Sequence, residues 1–191
     1  IGFASTERQP RLTQRLWPAL LIFPWLLIGC DPADQAPDDT PIAVMRDAPG
    51  DWLAYVSNED SGDLTIIAVE TNEVVGTIPV GKRPRGVRVS SDGRTVYVAL
   101  SGSPKCPPTI PDEVCEQRIA DKSADGIAVI DTVSRALTRV LPGGSDPEQF
   151  DINADQTRLY VSNEDSDQAS IVDIVSGEVV KTIAVGREPE G

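Results

Sequence analysis

Tyr55-Val56-Ser57-Asn58-Glu59-Asp60-Ser61-Gly62-Asp63 and Tyr160-Val161-Ser162-Asn163-Glu164-Asp165-Ser166-Asp167-Gln168 are nearly one phrase written twice. A divergent third copy begins at Tyr97 as Tyr97-Val98-Ala99-Leu100-Ser101-Gly102. Each copy is followed by a Gly-x-x-Pro landmark: Gly81 to Pro84, Gly144 to Pro147, and Gly186 to Pro189. The first and third copies place Tyr and Gly 26 residues apart, and the middle copy 47, so the middle copy carries a 21-residue insertion. Without it the repeat is 42 residues long. A period of that length belongs to a repeat architecture, either a four-stranded propeller blade or a helical pair.

The periodicity inside the repeat decides between them. Val87 and Val89 alternate with Arg88 and Ser90, then Ser91-Asp92-Gly93 leads into Val96-Tyr97-Val98. Asp-Gly between two alternating runs signals a hairpin, because its turn type requires positive φ. Leu64–Val69 and Val74–Val80 are β-branched runs separated by Thr71-Asn72-Glu73, a turn composition. No stretch after residue 30 sustains helical spacing over ten residues. The sequence therefore predicts an all-β chain of four-stranded antiparallel blades. In the first complete repeat the strands are expected near 86–90, 95–100, 126–131 and 137–141. A single β-sandwich is the competing architecture, but a sandwich does not require turns that repeat in sequence. Residues 42–191 make about three blades, where a closed ring takes four to eight. The chain reads as a fragment of a larger ring.

Residues 1–41 differ in kind. Arg8, Arg11 and Arg15 precede an apolar run from Leu16 to Ile28, too short to span a bilayer comfortably and interrupted by Pro18 and Pro24. A basic start followed by a short apolar core describes an export leader, here 1–29. Leu27-Ile28-Gly29-Cys30 resembles the lipobox of bacterial lipoproteins, which implies cleavage before Cys30 and lipid attachment to its thiol. Asp31 resembles the inner-membrane retention residue of enterobacterial lipoproteins. Residues 30–41 are rich in Pro and Asp and have too little apolar surface to fold, so they read as a flexible tether. The expected location is the periplasm or outer cell surface, with the membrane engaged through the lipid anchor alone.

The net charge of −13 becomes −15 without residues 1–29, which is a poor composition for binding polyanions. With Cys30 lipidated, Cys106 and Cys115 remain inside the insertion. An exported compartment permits a disulfide between them, stapling a surface loop at roughly 2–3 kcal/mol. A metal or redox pair is the alternative, poorly served by two isolated thiols. Histidine is absent, which removes His-ligated metals and haem, and every Ser-His or Cys-His arrangement, for the residues present. No catalytic residue, metal ligand or cofactor is expected.

Loops after the second and fourth strands of a propeller blade lie on one face. The Asn-Glu-Asp loops, the insertion near 101–124 and the Gly-x-x-Pro loops therefore share a face. Its candidate binding residues are Lys82, Arg83, Arg85, Asp146, Glu148, Arg187 and Glu188, a mixture of signs. The Asn-Glu-Asp loops themselves read mainly as turn chemistry. The insertion reads as the more functional segment, because long loops on rigid scaffolds carry recognition.

The Tyr-Val-Ser-Asn motif, with its later Glu-Val-Val-Gly-Thr-Ile-Pro-Val-Gly-x-x-Pro-x-Gly, resembles the YVTN family of β-propeller repeats over 55–86 and 160–191. The resemblance covers nearly all of 42–191 and implies a seven-bladed ring when complete. The Cys-bearing loop and the phrase Gly143-Gly144-Ser145-Asp146-Pro147-Glu148-Gln149-Phe150-Asp151-Ile152 are similar to a periplasmic subgroup associated with pyrroloquinoline-quinone-dependent alcohol catabolism. A broader resemblance reaches surface-layer proteins and the haem d1 domain of nitrite reductase, but haem binding does not carry over without histidine. The expected function is a non-catalytic, exported binding or scaffold module, with a protein or small-molecule partner on the loop face. The alternatives are a cofactor- or substrate-binding propeller with an enzymatic role at full length, and a periplasmic DNA binder, which the charge opposes.

Overall fold

The computed structural model describes residues 2–5, 52–106, 109–115 and 117–191. Cys30, the tether and the leader apart from 2–5 lie outside the described residues. Three antiparallel four-stranded sheets follow one another. The first contains β1 (Gly2–Ser5), β2 (Trp52–Asn58), β3 (Asp63–Ala68) and β4 (Glu73–Pro79). The second contains β5 (Pro84–Val89), β6 (Thr95–Leu100), β7 (Gly126–Asp131) and β8 (Ala136–Leu141). The third contains β9 (Pro147–Ile152), β10 (Arg158–Asn163), β11 (Gln168–Asp173) and β12 (Glu178–Ala184). Spatial order within each sheet follows chain order. β5 neighbours both β1 and β9, so the first strand of each blade lies toward the axis and the fourth at the rim. This is part of a β-propeller. The first blade takes its innermost strand from residues 2–5, within the stretch the sequence assigns to the leader and outside the expected propeller bounds of 42–191, with Gly2 opposite Tyr55 and Ser5 opposite Trp52.

The repeat extends to backbone irregularities. Val75, Thr138 and Val180 are each the extra residue of a bulge at one place in β4, β8 and β12. A second bulge recurs where β5 and β9 begin, around Arg85-Gly86 and Glu148-Gln149. Left-handed residues recur in register too. Asn72, Arg135 and Gly177 close the turns before the fourth strands, and Gly93 and Gln156 the turns before the second. Gly62 and Asp167 precede the third strands, and Arg83, Asp146 and Glu188 precede the landmark prolines. Asn58 donates to Asp63 Oδ1 (2.6 Å) and Thr65 Oγ1 (2.8 Å), and Asn163 to Ser170 Oγ (2.8 Å). The repeated Asn thus pins the loop to the third strand, as its turn composition suggests.

The core lies between blades. Leu53, Tyr55, Leu64, Ile66, Val75, Ile78 and Val80 of the first blade pack on Val87, Val96, Val98, Ala128 and Ile130 of the second. Tyr97, Ala99, Ile127, Val129 and Leu141 of the second pack on Phe150, Leu159, Val161, Val172 and Ile174 of the third. Alternation along each strand feeds one apolar row to each neighbour, and full burial of one such side chain stabilises by about 1.5–3 kcal/mol. The third blade repeats the same outward row, with no neighbouring blade among the described residues. Tyr55, Ile78 and Val80 are 1%, 4% and 2% exposed, whereas Tyr160, Ile183 and Val185 are 45%, 41% and 43% exposed.

The insertion leaves the second blade after β6. It carries one helical turn, α1 (Asp112–Cys115), and a short 3-10 turn at Lys122–Ala124. Cys106 and Cys115 form a disulfide with Cα atoms 5.9 Å apart, a normal separation for that bond.

Candidate functional site on the loop face

The two bulges at the starts of β5 and β9 aim Arg85 and Glu148 at each other across the second and third blades. Bulges commonly re-aim side chains in this way. The Arg85 guanidinium contacts Glu148 Oε1 and lies 3.5 Å from Glu164 Oε2 and 3.9 Å from Asp146 Oδ1. Its backbone carbonyl accepts from Ser57 Oγ (2.7 Å). Asp146 and Glu148 are buried. One guanidinium therefore serves three carboxylates whose oxygens lie within 4.8 Å of one another. Such a cluster has the donor set of a cation site, and Arg85 supplies the cation from within the chain.

Around this centre a network spans all three blades. Ser101 Oγ donates to Asp146 Oδ1. Asp125 Oδ2 accepts the Asp146 N–H (3.2 Å), and Asp125 Oδ1 accepts the Gly102 N–H (2.7 Å). Arg83 donates to Glu59 Oε1 (3.0 Å) and to the Ser103 carbonyl (2.5 Å). Lys105 pairs with Asp60 (2.8 Å) and Glu59 (3.1 Å) of the first blade. Lys122 pairs with Asp165 of the third blade. Lys82 pairs with Asp121 (2.5 Å). An open cleft of about 510 Å³ lies beside the network, between the first two blades, lined by Glu59, Asp60, Lys82, Arg83, Ser101 and Ser103 among others.

The electrostatics follow from this arrangement. Burial pushes the Asp146 carboxyl above its ordinary value, with Glu164 and Asp165 adding to the effect and Ser101 and Arg83 opposing it. Asp165 moves the other way. Burial works against its charge, but hydrogen bonds from Lys122 and Ser103 outweigh it and hold the carboxyl below its ordinary value. Lys122 is likewise held above its ordinary value, Asp165 and Asp125 overcoming its partial burial.

One geometry imitates a catalytic pair. Lys122 Nζ lies 2.7 Å from Ser103 Oγ, which itself donates to Asp165 Oδ2 at 2.8 Å. A lysine base must lose its proton to activate a serine. Here the carboxylates keep Lys122 protonated, and Asp165 is a weak base. The trio is suited to holding the insertion in place.

Of the residues expected on this face, Arg83, Arg85, Asp146 and Glu148 meet in the network and Lys82 borders it. Arg187 and Glu188 lie exposed beyond the third blade, where the Glu188 N–H donates to Asp167 Oδ1 (3.0 Å). Sequence reasoning missed Glu164, Ser101, Ser103, Lys105, Asp125, Lys122 and Asp165 as site residues. The signal for Glu164 was present. It is the repeat counterpart of Glu59; Glu59 reaches Arg83 of the linker between the first two blades, and Glu164 reaches Arg85 at the start of β5.

No curated protein matches the chain. Among solved structures it is similar to Kuenenia stuttgartiensis hydrazine synthase (26% identity, TM-score 0.54, covering 70% of this chain and 34% of that one). A putative 6-phosphogluconolactonase from Bacteroides uniformis ATCC 8492 is similar in fold (20%, TM-score 0.52, 73% and 39%). So is a functionally unknown protein from Desulfotomaculum acetoxidans DSM 771 (13%, TM-score 0.53, 70% and 37%). The chain spans little more than a third of the length of these structures. The family model described as "Lactonase, 7-bladed beta-propeller" matches residues 83–187, from the first Gly-x-x-Pro linker to the last and more than half of the chain. The second and third blades, with Arg83, Arg85, Asp146, Glu148 and Glu164, thus fall within that match, and the chain belongs to this seven-bladed lactonase-type propeller family.

Proposed function

We propose that the protein is a non-catalytic binding propeller that seats a small polar ligand or a protein partner on its loop face. The observation carrying this reading is the convergence of Arg85 with Asp146, Glu148 and Glu164, and of Arg83 with Glu59, beside an open cleft, with each charged group held by a neighbour of opposite sign. Matched charges on a rigid scaffold recognise shape and polarity; they do not supply a poised nucleophile. The YVTN-type repeat and the lipobox-like Leu27–Cys30 support an exported, lipid-anchored protein that works beside a quinoprotein alcohol-oxidising system. Among the described residues no helix is long and apolar enough to cross a membrane; in this reading the anchor is the lipid on Cys30. The test is calorimetric titration of the chain with pyrroloquinoline quinone. Saturable binding weakened at least tenfold by Arg83→Glu with Arg85→Glu supports the proposal, and binding indifferent to both substitutions refutes the site.

A second reading, lactone hydrolysis, is favoured by the family match and by the buried Asp146. A carboxyl whose pKa burial raises holds its proton to higher pH than an ordinary one and can donate it to a departing alkoxide, with a linker arginine polarising the carbonyl. The discriminating assay is proton release from simple sugar lactones in a pH-stat. The binding reading expects no rate above buffer. A rate that falls a hundredfold or more in Asp146→Asn, and declines as pH rises through the Asp146 pKa, establishes the enzyme instead.

A further inference from the structure

We propose that the Cys106–Cys115 staple is a thiol–disulfide exchange site that latches the insertion across the cleft between the first two blades. The insertion has two parts. Its base is pinned through the backbone: the Asp121 N–H donates to the Gly102 carbonyl (2.8 Å), and the Gly102 N–H donates to Asp125 Oδ1 (2.7 Å). Lys82 and Arg83 secure the same base through Asp121 and the Ser103 carbonyl. The tip, residues 104–120, lies beyond that clamp. Among the described residues, Lys105 carries the polar contacts of the tip to a blade, reaching Asp60 (2.8 Å) and Glu59 (3.1 Å).

Those contacts cross the cleft. Ser101, Gly102 and Ser103 line one side of it, and Glu59 to Gly62 line the other. Lys105 follows the first wall in sequence and binds the second, so it ties wall to wall. The staple fixes its place. Cys106 is the next residue, and Arg118 Nη1 reaches back to the Lys105 carbonyl (2.8 Å). Cys106 is exposed and Cys115 half-buried, so Cys106 Sγ is the sulfur open to attack. A dithiol supplies the two electrons. One of its thiolates attacks Cys106 Sγ and expels Cys115 as a thiolate, which takes up a proton. The second thiolate then breaks the mixed disulfide, and Cys106 leaves as a thiolate that is protonated in turn. The reductant departs as a disulfide. An exposed ion pair cannot hold an unstapled loop against its regained chain entropy, so Lys105 releases Glu59 and Asp60 and the cleft opens. That opening the cleft admits a ligand rests on the binding reading above.

The test is amine reactivity. Asp60 and then Glu59 hold the Lys105 ammonium above its ordinary value, which slows its acylation. The full chain is treated with or without dithiothreitol under native conditions, alkylated, and acylated with a limiting N-hydroxysuccinimide ester. Peptide mass spectrometry is expected to show Lys105 acylation rising about threefold or more on reduction. Lys122 sits in the pinned base against Asp165 and Asp125, and its rate is expected to stay the same. With Glu59→Gln and Asp60→Asn, Lys105 is fast while the staple is closed, and reduction adds nothing. A staple that resists the dithiol until the chain unfolds overturns the proposal. So does a Lys105 rate indifferent to reduction, or a rise shared equally by Lys122, which means that the staple holds the fold and not a latch. Pyrroloquinoline quinone titration of both forms is read separately: absence of binding refutes the binding reading, while Lys105 still decides the latch.

Discussion

Asp146 combines three demands in one residue: left-handed backbone (φ 56°), a buried carboxyl, and contact with Arg85 and Ser101. Its raised pKa means that ionising it costs stability. That cost is absent below the unfolded-state pKa of about 3.9 and grows as pH rises toward the higher folded value. Asn tolerates left-handed backbone and still accepts from Ser101. Asp146→Asn is therefore expected to be neutral or stabilising, by up to about 1 kcal/mol, at pH 7. The difference should vanish near pH 3 in urea titrations. Asp165 behaves oppositely. Its folded pKa is depressed, so its contribution is present above the ordinary carboxylate pKa and is lost as pH falls through the lower folded value. Backbone strain can be checked at two glycines. A Cβ at Gly177 meets only Leu141 Cδ2 at 3.4 Å, so Gly177→Ala should cost about 1–2 kcal/mol from its positive φ alone. At Gly62 the same atom falls 2.6 Å from the Gly81 carbonyl, so Gly62→Ala should cost clearly more in thermal denaturation. Turn residues such as Gly62 and Gly93 were legible in the sequence. Left-handed Arg83 was not, because nothing in its side chain favours positive φ.

The insertion is the element that departs from the repeat, and its role is to link blades. Its two lysines, Lys105 and Lys122, reach carboxylates on the first and third blades respectively. Both pairs are partly exposed and screened by solvent, so Lys105→Ala alone should shift the midpoint very little. The disulfide is the stronger constraint. Cys106→Ser with Cys115→Ser should lower stability by up to about 3 kcal/mol while leaving the strand content unchanged, read by far-ultraviolet circular dichroism. The pairing of the cysteines followed from their number and setting. The contacts of the loop did not, because Lys105 and Lys122 find their acids on other blades, more than forty residues away in sequence. The strands were the easiest elements to read. The expected boundaries at 95–100 and 126–131 match β6 and β7, since each is a short apolar, β-branched run bounded by polar or turn residues. The inner strand β5 begins earlier than expected, at Pro84. Its bulge interrupts the alternation there.

At the scale of the whole molecule, the same apolar phrase has two fates. Glu73-Val74-Val75-x-Thr77-Ile78 recurs as Glu178-Val179-Val180-x-Thr182-Ile183, and position in the arc alone decides whether it is covered. Val75→Asp should abolish cooperative unfolding, since a charge would sit unpaired in the inter-blade core, whereas Val180→Asp should change stability by less than about 0.5 kcal/mol. The polar network is the complement of the apolar one. Arg85 joins the second blade to Glu148 of the third at the end of the axis where the loops gather. A double-mutant cycle on Arg85→Ala and Glu148→Ala, read by urea unfolding, tests that junction most directly. The predicted result is a coupling energy of about 1–3 kcal/mol, since both groups are largely buried and each loses its partner in the single variants. Additive effects, with no coupling beyond error, would contradict the assembly of the site across two blades.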